Sequence, residues 1–142
     1  MSKTFSYRLF GLGKIYEPLA SQLREEGIVL LEEGIAGSAT YTNFRAPGKA
    51  SNWKRRWFTG SLALTRVRLW GQMYAQTIID VPLTDKQLGS VQFSLEGNDT
   101  LLVAHDASLF HSDWSGKIEF RFRTSQAQVF LDKLRELGLG GT

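Results

Sequence analysis

Ile118, Phe120 and Phe122 alternate with Glu119, Arg121 and Arg123. Side chains on an extended strand point alternately to opposite faces, so this pattern describes a strand with one apolar and one charged face. Such a strand needs a sheet around it and a core beneath it, and the pattern recurs along the chain. Val91, Phe93 and Leu95 alternate with Gln92, Ser94 and Glu96; Gly97-Asn98-Asp99 supplies turn residues, and residues 100–104 return, which predicts a hairpin. Residues 28–31 and 36–44 read as extended, with Gly34 and Gly37 marking a bend or bulge. Residues 57–70 read as strand broken near Gly60-Ser61, with Arg66 and Arg68 on one face and Val67 and Leu69 on the other. Residues 76–81 give a further strand that ends at Pro82, and residues 45–51, around Pro47-Gly48, read as the clearest loop.

Helices frame this β-rich middle. Tyr16, Leu19 and Leu23 recur at helical spacing, with Leu12 one turn earlier. Pro18 suits a first helical turn, and Gly27 suits a C-terminal stop. At the other end Ala127, Phe130, Leu131, Leu134 and Leu137 form one apolar stripe, and Ser125 with Gln128 fits a capping box. The expected architecture is mainly β: a helix, six or seven antiparallel strands forming a small barrel or an orthogonal pair of sheets, and a capping helix. With 142 residues, one domain is expected. Residues 1–27 read as an N-terminal helical extension, 28–138 as the domain, and 139–142 as a flexible tail. Met1 to Phe10 lacks the apolar stretch of a secretory signal, no run approaches a membrane span, and cysteine is absent. A cytoplasmic protein is therefore expected, with peripheral membrane attachment as a variant.

Charge is unevenly placed. Between Gly34 and Ile79 there is no acidic residue, yet Arg45, Lys49, Lys54, Arg55, Arg56, Arg66 and Arg68 fall there. The whole chain is +3, so the remainder carries −4. A basic surface of this kind attracts phosphate or another anion. In an extended Trp53-Lys54-Arg55-Arg56-Trp57, Lys54 and Arg56 share one face, while Arg55 points the other way with the two tryptophans. Two cations so placed can grip one anion, arginine with bidentate geometry. The plainer explanation is a solvated face that keeps an edge strand from aggregating.

The order of elements resembles the pleckstrin-homology (PH) superfold, closest in pattern to the GRAM and bacterial PH-like domains. Trp53-Lys54-Arg55-Arg56-Trp57-Phe58 resembles the second-strand motif of many PH domains. Phe58-Thr59-Gly60-Ser61-Leu62-Ala63-Leu64-Thr65 with Arg68-Leu69 is similar to a stretch of GRAM-type domains. Phe130 stands where PH domains usually carry a helical tryptophan. The resemblance covers roughly residues 27–137. It implies a bent antiparallel barrel of about seven strands plugged by the C-terminal helix. It also implies a non-catalytic binding module that recognises a protein partner or an anionic, phosphate-bearing head group through its first two strands. The residues implied are Lys54 and Arg56, with Arg45 and Lys49 as candidates from the preceding strand and loop. No cofactor is implied.

Other readings have thinner support. Trp53, Trp57, Phe58 and Trp70 could stack bases of a single-stranded nucleic acid, although alternating aromatics in strands are mostly core. His105, Asp106, His111 and Asp113 could ligate a divalent metal, but their spacing matches no compact motif. Gly11-Leu12-Gly13 lacks the third glycine of a dinucleotide loop, and no serine sits in a nucleophile elbow. The main alternative is a self-associating assembly domain that uses its edge strands or the apolar face of its N-terminal helix.

Overall fold

The computed structural model of the chain describes residues 14–139. Helix α1 (Leu19–Glu26) precedes two long strands, β1 (Ile28–Ala46) and β2 (Lys49–Thr65). The hairpin β3 (Arg68–Met73) and β4 (Gln76–Pro82) follows. Then come β5 (Gln92–Glu96), β6 (Thr100–Asp106), β7 (Ser115–Arg123) and helix α2 (Ala127–Glu136). The seven strands form one antiparallel sheet in the order β4-β3-β2-β1-β7-β6-β5. It is not closed: β4 and β5 are its two outer strands, and no ladder joins them. Residues from both ends nevertheless enter one core, including Leu69, Met73, Ile79 and Val81 on one side and Phe93, Leu101, Val103 and Phe120 on the other. The sheet is therefore curled around its own apolar face.

The register follows directly from the alternation. Inner-face rows run across the strands as Arg56–Ala39–Phe120–Val103–Phe93 and Phe58–Gly37–Phe122–Leu101–Leu95. The outer face carries Trp57–Ser38–Arg121–Leu102 and Arg55–Thr40–Glu119–Ala104 in the rows between. Each apolar strand face thus points to one core, and in β5 and β7 a one-residue slip would turn its side chains to water. The charged residues of β7 find partners on the wet side. Arg121 donates to both oxygens of Glu96 at 2.8 and 3.0 Å, which holds that carboxyl below its usual range.

α2 buries Ala127, Phe130, Leu131 and Leu134 at the β5–β6 end of the sheet. α1 packs on the opposite, convex surface, where Ile15 and Leu23 meet Ala63 and Trp70 in a second small cluster with Leu19 against it. That placement answers what the N-terminal apolar face covers: it is the chain's own sheet. Tyr16 stays exposed, and Leu12 and the Gly11-Leu12-Gly13 stretch lie outside the described residues.

The structure corrects four local expectations. The loop at residues 45–51 shrinks to the two-residue turn Pro47-Gly48, because β1 and β2 pair as far as Ala46 and Lys49, and Gly48 takes the positive φ (74°) that the tight turn requires. β2 does not break at Gly60-Ser61. Gly60 marks a close approach instead: a Cβ there would lie 2.1 Å from the Gln72 carbonyl oxygen of β3. The reversal comes at Arg66-Val67, so these two residues sit in a turn and do not share the alternation of β3. At α2 the N-cap is Gln126, not Ser125, and the Gln126 side chain makes no capping bond. The Thr124 hydroxyl accepts the Gln126 N–H at 3.0 Å, and Leu137 falls beyond the helix, exposed.

Candidate functional site

The β1–β2 hairpin extends well past the rest of its half of the sheet. β3 pairs with β2 only from Gly60 to Leu64, whereas β1 follows β2 along its whole length. The segment from Lys49 to Phe58 therefore overhangs, and its inner face borders a cleft of about 1050 Å³ within the curl of the sheet. Lys49, Lys54 and Arg56 all line this cleft. Lys54 is paired across the strands with Tyr41, and the same row continues through Ile118 to His105. The floor is apolar and buried: Leu69, Met73, Val91, Val103 and Phe120 are each only a few per cent exposed. A bound molecule would thus meet mainly the mouth. There the cationic side of β2 stands with the half-buried Tyr41 and Trp114, the exposed His111 and the polar Gln76 and Thr77 of β4.

The seven cations of the acid-free stretch divide by what holds them. Arg68 is neutralised. Its Nε and Nη2 meet the two Glu26 oxygens at 2.9 and 2.8 Å, and Nη1 meets Asp80 at 3.1 Å. Burial opposes its charge, but the bonds to Glu26 and Asp80 outweigh that and raise its pKa further. Arg55 lies on the outer face, 5.4 and 5.5 Å from the rings of Trp53 and Trp57, and donates to Thr40 at 3.0 Å. Arg66 is exposed in the β2–β3 turn, its stem beside Gly27. Arg45 donates to the Phe44 carbonyl at 2.8 Å and to Asn52 at 3.3 Å, and it does not line the cleft. Lys49, Lys54 and Arg56 remain, with no ion pair or hydrogen bond among the described residues. Asp80 also lines the cleft, but its carboxylate is engaged by Arg68.

Of the four residues singled out in the sequence, three therefore share a cleft and Arg45 lies apart from it. The opposite facing of Lys54 and Arg56 on one side, and Trp53, Arg55 and Trp57 on the other, follows the period-two expectation. What sequence reasoning missed is the other wall of the mouth, where Tyr41 and Trp114 join His105, which the sequence offers only as a metal ligand. It comes from β1, β6 and the β6–β7 connection, with no local motif to betray it. The Tyr41 hydroxyl is pushed up by burial, partly offset by the positive charge of Arg56 nearby. His105 is pushed down by burial, against a counteracting hydrogen bond to the Asp106 carbonyl at 2.7 Å, and its ring packs edge-on to Phe110. His111 stacks on Trp114 at 3.6 Å. Among the described residues no three histidine or carboxylate groups converge in a way that could hold a metal ion, so His105, Asp106, His111 and Asp113 form no such centre. No helix among them is long and apolar enough to cross a membrane.

The chain is thus a mainly β protein built on one curled, open antiparallel sheet with a helix at either end. Compared with protein-family models, curated proteins and solved structures, it matches none.

Proposed function

We propose that this chain is a non-catalytic, PH-like binding module that takes an anionic, phosphate-bearing group at the mouth of its cleft. The strand order β4-β3-β2-β1-β7-β6-β5, with a C-terminal helix against the β5–β6 end, supports the PH-like reading of the fold. The observation that carries the functional reading is that Lys49, Lys54 and Arg56 line one cleft while no carboxylate among the described residues neutralises them. Like charges gathered at one mouth repel one another and attract counter-ions, and an anionic ligand relieves that repulsion. The exposure of all three residues favours a group that approaches from solvent over one sealed in the core. Self-association through the N-terminal helix has less support, because Leu23 is used up against Ala63 and Trp70.

The test is sedimentation with vesicles containing phosphatidylserine or a phosphoinositide, alongside titration with soluble phosphorylated head groups. Each basic residue near an anionic surface contributes about 1 kcal/mol, so the Lys49→Ala/Lys54→Ala/Arg56→Ala protein should partition roughly 100-fold less at low salt. Raising the salt to 1 M should erase most of the difference. A native protein that ignores both vesicles and head groups at low ionic strength would overturn the proposal.

A further inference from the structure

The overhanging part of β2 has a second property, carried by its backbone. On one side Lys49 to Phe58 pairs with β1; on the other no strand among the described residues pairs with it. Two contacts of Tyr74 reveal which backbone groups point to that open side. Its N–H donates to the Thr59 carbonyl at 2.9 Å, and its hydroxyl to the Trp57 carbonyl at 3.4 Å. Odd-numbered positions of β2 therefore turn their N–H and C=O away from β1. The register shifts in the β1–β2 ladder both lie at the far end, near Ile28 and Glu33, so the alternation runs unbroken down to Arg55, Trp53 and Ser51. These three residues hold donors and acceptors out to an edge that carries no proline and no bulge, two devices that usually blunt such edges.

The side chains on this edge are equally unusual. Trp53 and Trp57 are 61% and 71% exposed, with the Arg55 guanidinium stacked between them and anchored on Thr40. An aromatic–cation–aromatic platform held this way loses little entropy when something packs on it. On the inner side of the same segment Lys54 and Arg56 face the cleft.

We infer that the free edge of β2 takes an extended acidic segment of a partner protein as an added strand. Its backbone pairs with Ser51, Trp53 and Arg55. Its carboxylates turn to Lys54 and Arg56 on the cleft side, and its apolar side chains lie on Trp53 and Trp57. Charge selects this occupant over a second copy of the chain. Pairing two such edges would bring Lys49, Lys54, Arg55 and Arg56 of both copies together along about 30 Å of strand, with no acid to separate them. The inference goes beyond the anion-binding function. It shares Lys54 and Arg56 with that function, but it depends on backbone groups that head-group binding does not use.

The probe is an acetylated, amidated peptide of five Glu-Val repeats, extended with acids on one face and valines on the other. Native protein should bind it, with a blue shift of tryptophan emission and slowed exchange of the Ser51, Trp53 and Arg55 amides. Arg55→Pro removes one outward N–H from an edge position where proline is tolerated, whereas Arg55→Ala removes the same side chain and keeps the N–H. Arg55→Pro should bind the peptide about tenfold more weakly than Arg55→Ala while still binding anionic vesicles like Arg55→Ala. The partner experiment uses native protein only. Peptides N-methylated at alternate residues, in the two possible registers, should split, one losing binding and the other retaining it. Equal binding by both methylated peptides, equal binding by the two Arg55 variants, or equal binding of a Lys-Val repeat overturns the inference. So does a native protein that ignores the Glu-Val peptide, dimerises through this edge without peptide, or yields the edge amides to oligo-dT.

Discussion

Arg68 offers the sharpest check on how the basic stretch is divided between folding and binding. It belongs by sequence to the same acid-free run as Lys54 and Arg56, but its guanidinium meets Glu26 through two bonds and Asp80 through a third. The Arg68 and Glu26 side chains are 16% and 22% exposed, Asp80 48%. A charged hydrogen bond contributes about 1.5–3 kcal/mol, and a half-exposed ion pair little. Counting the Glu26 contact near the lower end and discounting Asp80, Arg68→Met should cost about 2 kcal/mol, less than the loss of a fully buried pair. With a urea m-value of about 2 kcal/mol/M, the midpoint should fall by about 1 M. A double-mutant cycle with Glu26→Gln should return a coupling of about 1–2 kcal/mol, since the two residues are in contact. The same Arg68→Met protein should bind anionic vesicles like the native one. A cost below about 0.5 kcal/mol with no coupling would refute the assignment of Arg68 to the fold, and a large loss of vesicle binding would refute its separation from the site.

Other outcomes follow from single residues. Gly60→Ala should destabilise the protein by about 3 kcal/mol, because the new methyl meets the Gln72 carbonyl and must push β3 away; a shift in the thermal midpoint of less than 2 °C would contradict the close approach. His105 is held below its ordinary value of 6.5 by burial, so the unfolded chain binds its proton more readily than the folded one. Its contribution is present above pH 6.5 and is lost as the pH falls below that value through the folded pKa. Stability measured from pH 7.5 to 5 should therefore decline less steeply in His105→Gln than in the native protein, and identical slopes would count against it. Leu134→Ala, in the buried stripe of α2, should cost about 2–5 kcal/mol, whereas Leu137→Ala should be nearly neutral by chemical denaturation.

Local pattern carried much of the fold. The alternation in β5 and β7 and, Leu137 apart, the apolar stripe of α2 placed the right residues inward, because burial on one face imposes a period that single segments display. The same logic put Lys54 and Arg56 together and Arg55 between the tryptophans on the opposite face. The errors have local causes too. A glycine within a strand pattern reads as a break, but Gly60 is a point of backbone contact between β2 and β3. Residues 45–51 read as a loop because Pro47-Gly48 marks a turn without revealing how closely the flanking strands pair. The aromatic side of the cleft mouth was not legible, since Tyr41, His105 and Trp114 come from three separate elements.

The amino-acid order by itself determined which face of β5 and β7 is apolar, where the acid-free run lies, and that helices bracket the strands. These are properties of near neighbours and survive in any arrangement of the segments. Tertiary structure decided which cations are neutralised and which strand edge no other described strand covers. Glu26 reaches Arg68 across 42 positions, and the short β3–β4 hairpin stops at Gly60, so no strand among the described residues pairs with that side of the far end of β2. Both results depend on how distant segments meet in space, which no stretch of the chain records alone.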